Sequence, residues 1–176
     1  MEKKKNIFQR AGEWGIPFGL YLGCAGTASI YADVFPPLAF VFLVMLLGIP
    51  VVVYGLQRYK FIEDDGFTEY SGLWMLGILL FICGTIISSL VIALVLQYGR
   101  PDFMYVQAER TIEMMRDMPK EQYGEMMHVL QRMIDEQLMP SAIDTVMSMF
   151  WFITFGGSVL SAITALIARR DIKPRR

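Results

Sequence analysis

Few side chains in this chain of 176 residues carry reactive groups, and their spacing decides what chemistry they can do. The single histidine, His128, has no second histidine or cysteine at ligand spacing. It lies one residue from Met127 and two before Leu130, beside the apolar stripe of a helix, which suits a structural imidazole better than a base or ligand. Cys24 and Cys83 both fall inside apolar runs. A thiol there behaves as a small hydrophobe, and neither a disulfide framework nor a zinc site follows. Glu63, Asp64 and Asp65 form an acidic triplet without the alternating spacing of a calcium loop, so they read as a solvated loop end. Ten of the thirteen methionines lie between Met104 and Met149. Thioethers fill irregular contacts and suit pliable surfaces, and no tight repeat points to copper. Nucleophile-elbow, phosphate-loop and zinc-helix motifs do not occur. The expectation is a chain that is not an enzyme and has no catalytic residue, cofactor or metal.

The elements that position these residues are set by hydropathy. The composition is 55% apolar, with a mean hydropathy of +0.43. That is the balance of an integral membrane protein. The net charge of -1 argues against a nucleic-acid partner. The fold class expected is all-α: a polytopic membrane protein of four transmembrane helices, with an extracytoplasmic two-helix insertion between helices 3 and 4. The spans are expected at 14–32, 38–56, 71–97 and 142–168, and the insertion at 98–140, all in one membrane domain, 1–176. Each span is near the twenty residues that a bilayer core requires, and the third is long enough to tilt. Tyr21-Leu22-Gly23-Cys24 resembles the end of a lipoprotein signal, but Tyr21 is wrong for that motif and apolar sequence continues past Cys24. Pro50 kinks the second span. Residues 57–70 read as a charged loop.

The insertion reads as two amphipathic helices, 101–116 and 120–138, separated by Pro119 and closed by Pro140. Tyr105, Ile112 and Met115 mark the apolar face of the first, and Tyr123, Met127, Leu130 and Ile134 that of the second. These seven are the candidate contact surface. Ser141 with Asp144 resembles a capping box for the last helix. The two outer helices are expected to fold back over the outer end of the bundle, because an uncovered apolar face is rarely kept in water. Asp33 and Asp144 both fall near the outer interface, where solvation or capping outweighs a shared cation.

Orientation follows from Lys and Arg. The N-terminus carries four, the 57–70 loop two and the tail five, eleven in all, against five in the insertion. Positive flanks stay cytoplasmic, so both termini are expected inside and the insertion outside. No span carries a charge near its middle, which argues against an ion pump. Gly15, Gly19 and Gly23 recur every four residues in the first span, and Gly157, Ser161 and Ala165 do so in the fourth. Such rows let helix backbones approach closely, within one chain or across a homodimer.

The whole plan resembles the bacterial membrane-protein family called domain of unknown function 4199. The resemblance rests on the basic start into a Gly-rich span, Arg58-Tyr59-Lys60 with Gly66 and Phe67, and Gly99-Arg100-Pro101-Asp102-Phe103. A small-residue last span ending Ala168-Arg169-Arg170 completes it. The family has no assigned activity, so the resemblance implies no catalytic residue. The expected function is that of a multi-pass protein of the bacterial cytoplasmic (inner) membrane, acting through protein contacts as a subunit, scaffold or envelope factor. Its partners are the lipid bilayer and a membrane protein or a second copy. The alternative is binding or transport of a lipid or small molecule at the outer mouth of the bundle.

Overall fold

The computed structural model describes residues 6–64, 66–116, 120–136 and 138–169, with 120–123 as backbone only. Among them every regular element is helical: α1 (Ile7–Tyr31), α2 (Pro37–Glu63), α3 (Tyr70–Leu94), a π-helical turn (Val95–Gly99), α4 (Phe103–Arg116), α5 (Lys120–Asp135) and α6 (Ala142–Arg169). The chain divides into two compact units, one of Met1–Ile92 with Met147–Arg176 and one of Ala93–Val146.

Several boundaries differ from the sequence reading, each for a local reason. α1 begins seven residues before the expected span. Asn6 Oδ1 accepts from the Ile7 amide at 2.7 Å and Gln9 Oε1 accepts from the Asn6 amide at 3.3 Å, so a capping box starts the helix in the polar stretch. α2 continues through Glu63 instead of ending at Leu56. Gln57, Lys60 and Phe61 extend the period of Val53, and all four are buried. The charged loop is therefore short. Gly66, at φ 80°, makes its turn, a conformation that glycine adopts without the strain of a side chain. α4 and α5 are shorter than expected, and the third span ends in the π turn.

α2, α3 with its π turn, and α6 are each long and apolar enough to cross a membrane. α1 has 25 residues, but its glycines and Arg10 dilute its hydropathy. Large apolar side chains cover the outside of this unit: Phe40, Leu47, Phe152 and Phe155 are all more than 70% exposed. The inside is packed by Phe18, Leu22, Val53, Leu80 and Phe81, with Phe18 edge-on to Phe81 at 5.2 Å. A unit apolar on both its inside and its outside fits a hydrocarbon solvent.

α3 is the central helix. A methyl group on Gly15 would lie 2.6 Å from Cys83 Cβ, one on Gly19 2.7 Å from Ile87 Cβ, and one on Gly23 3.1 Å from Val91 Cβ. The offset is constant, so α1 and α3 run parallel in fixed register. On the other side, a methyl on Gly157 would run into the Phe81 ring and one on Gly77 into Ser161, while Ala165 packs with Leu73. That pairing steps down α3 as it steps up α6, so these two run antiparallel. Both small-residue rows thus face α3.

Candidate functional site

Three arrangements gather the polar side chains. The first lies inside the helix unit. Gln57 is 1% exposed, and its Nε2 donates to Ser161 Oγ at 2.9 Å and to the carbonyls of Ser161 and Leu73, both at 3.1 Å. Ser161 Oγ donates in turn to the Trp74 carbonyl at 3.1 Å, and Trp74 Nε1 donates to the Ser158 carbonyl at 3.1 Å. One amide therefore ties α2 to α3 and α6. The glycine at 77 is what lets Ser161 come so close. Among the described residues, Gln57 Oε1 finds no donor, and the buried Thr85 Oγ1 and Thr154 Oγ1 find no hydrogen-bond partner. Leaving a buried acceptor unpaired costs about 1–3 kcal/mol, so part of what the donor arm contributes is lost.

The second joins the first turns of α1 to the last turns of α2. Arg10 makes a two-point contact with Glu63, through Nε to Oε2 at 3.2 Å and through Nη2 to Oε1, and also reaches Glu13 at 3.4 Å. Its guanidinium lies over the rings of Trp14 (5.4 Å) and Tyr59 (5.8 Å), which meet edge to face. Lys60, only 3% exposed, reaches Asp64 at 3.1 Å and Glu63 at 3.5 Å, and Asp64 also accepts from Thr68. Glu63 and Asp64 therefore serve as partners to cations. Asp65 lies outside the described residues. No group of His, Cys, Asp and Glu suited to a metal occurs among the described residues.

The third is the α4–α5 hairpin. Ala108 and Ile112 are buried, and Tyr105, Met115, Met127, Leu130 and Ile134 are half-buried, so these candidate contact residues lie largely within the hairpin. The side chain of Tyr123 lies outside the described residues. What stays exposed is a neighbouring strip, Met126 (55%), Val129 (58%) and Leu138 (59%). Val129, Met133 and Leu138 line a groove of about 480 Å³ with Gly124, Glu125, His128 and Arg132. His128 is exposed on its rim. At the hairpin's root, Arg100 and the start of α4 enclose a cavity of about 330 Å³ with Ser141 and the start of α6. Ser141 and Asp144 complete their capping box there: Asp144 Oδ2 accepts from Ser141 Oγ at 2.6 Å, and Ser141 Oγ accepts from the Asp144 amide at 3.2 Å.

Sequence reasoning missed Gln57 as an interior residue, although its place in the Val53–Phe61 period was a usable signal. It also missed the pairing of Arg10 with Glu63, 53 residues apart, for which one sequence carries no signal.

The model of a family described as protein of unknown function (DUF4199) matches residues 13–170. No curated protein and no solved structure matches the chain.

Proposed function

The chain belongs to the DUF4199 family of proteins of unknown function, and on that premise we propose that it is a four-span protein of the bacterial cytoplasmic membrane that acts by contact. In this reading α1 also crosses the membrane, as the first of four spans, both termini are cytoplasmic, and α4–α5 is the extracytoplasmic insertion. Support comes from the Lys/Arg imbalance and from the parallel register of α1 with α3, which alternating spans require. The hairpin then recognises a membrane-protein partner, as a subunit, scaffold or envelope factor does.

The observation that carries this reading is the exposed strip Met126, Val129 and Leu138, left over after α4 and α5 have covered each other. Methionine-rich surfaces adapt to a partner's shape at little cost. The small-residue rows are a poorer route to a second copy, because α3 already fills them. The test places a photo-crosslinking residue at Val129 in living cells, with Asp135 on the polar face as control. A discrete protein adduct from Val129 and none from Asp135 is expected. Lipid adducts alone, or equal adducts from both sites, would contradict the reading.

A further inference from the structure

We propose that the uncovered face of α5 pairs antiparallel with the same face of a second copy of this chain. The proposal rests on the contact reading above and names the partner. Two apolar seams run along α5, one residue apart. Met127, Leu130 and Ile134 form the seam that lies half-buried within the hairpin. Met126, Val129 and Met133 form the other, with the same steps of three and four residues, which is the spacing that helix pairs use. Met126 and Val129 stand 55% and 58% exposed on it. A seam of that spacing is the face that one helix offers to another.

The charges on its flank say what covers it. Glu125 and Arg132 precede Met126 and Met133 by one residue each, so they stand on the same flank, one heptad apart and opposite in sign. Both are exposed, and with Val129 and Met133 they line the groove of about 480 Å³. In an antiparallel helix pair each flank lies beside the same flank of its partner, running the other way. Glu125 of one copy then meets Arg132 of the partner subunit, and the two-fold axis repeats the contact. A parallel pair would set this flank against the opposite one, which carries Leu130 and is half-buried within the hairpin. A different protein would have to supply both charges at matching places. This helix already carries the two halves of the pattern.

The pairing requires no contact to be broken. Arg132 meets Glu136 of its own helix through Nε at 3.9 Å, with the two side chains 72% and 56% exposed. An ion pair so long and so open to water contributes little. A guanidinium carries five donors, so a second carboxylate joins without displacing the first. The apolar seam supplies the attraction, and the two charge pairs set the direction.

The test expresses the full chain in living cells as two copies with different tags, one of them carrying a photo-crosslinking residue at Val129. An adduct that holds both tags is expected. Arg132→Glu in both copies sets like charges together and should lower its yield by about fivefold or more, as should Glu125→Arg in both. Arg132→Glu in one copy with Glu125→Arg in the other restores two opposite-charge contacts, so this mixed pair should recover the yield. Variants that fail to fold could not recover in this way. A two-tag adduct that the reversals leave unchanged, or that the mixed pair does not recover, overturns the proposal. A discrete adduct with another protein and no second tag also overturns it, but leaves the contact reading standing. Lipid adducts alone overturn both.

Discussion

Gly19 of α1 and Gly84 of α3 meet with no side chain between them. A methyl on Gly19 would fall 2.7 Å from the Gly84 carbonyl oxygen, and one on Gly84 2.7 Å from Phe18 Cδ1. Neither neighbour can yield easily, because one is backbone and the other is a buried ring. Gly19→Leu should therefore force the two helices apart and cost about 1–3 kcal/mol or more. Leu20 is 51% exposed on the other side of α1, so Leu20→Ala should stay within about 0.5 kcal/mol. Thermal melting in detergent compares them, and equal melting temperatures would remove the packing account.

The amide of Gln57 and the hydroxyl of Ser161 form a polar tie linking three helices. Interhelical hydrogen bonds in membrane proteins average about 0.6 kcal/mol and reach about 1.7. A cycle of Gln57→Leu, Ser161→Ala and the double variant should return a coupling in that range. Gln57→Leu alone should be mild, since it also removes the unpaired Oε1. Gly77→Ala should be worse than either, because its methyl would strike Ser161. A coupling near zero in equilibrium unfolding would show that the tie is incidental.

Arg10 and Glu63 present flat, two-point geometry at side-chain exposures of 15% and 19%. Water and salt screen such a pair less than an exposed one. Arg10→Lys keeps the charge but loses both the fork and the face laid on Trp14 and Tyr59. It should therefore be destabilised nearly as much as Arg10→Gln, by an amount of the order of 1 kcal/mol or more. Unfolding of the two variants at low and high salt checks this, and full recovery by lysine would reduce the contact to a simple charge pair.

The long apolar helices were legible because hydropathy alone defines them. α2 and α6 contain the expected runs, and α3 does so together with its π turn. Their ends were less legible, since Gln57–Glu63 looks like loop in composition while its polar groups are consumed by ion pairs and by Ser161. The start of α1 depended on a capping box at Asn6 and Gln9 inside a polar stretch. The glycine rows announced close packing, but one helix's row does not name its partner, and α3 became visible only in space. The same holds for the hairpin. Its apolar periodicity was plain, yet which part α4 and α5 cover, and that Met126, Val129 and Leu138 remain outside, depended on their pairing.

The most direct measurement of the account is where the α4–α5 hairpin lies. Glu113 is exposed on α4, in the segment that the proposed topology puts outside the cytoplasm. A single Glu113→Cys site, in a chain whose Cys24 and Cys83 are replaced by alanine, can be offered a membrane-impermeant maleimide. With the outer barrier opened and the cytoplasmic membrane intact, full labelling is the predicted result. Labelling that begins only after the cytoplasmic membrane is permeabilised would place the hairpin inside and contradict the account.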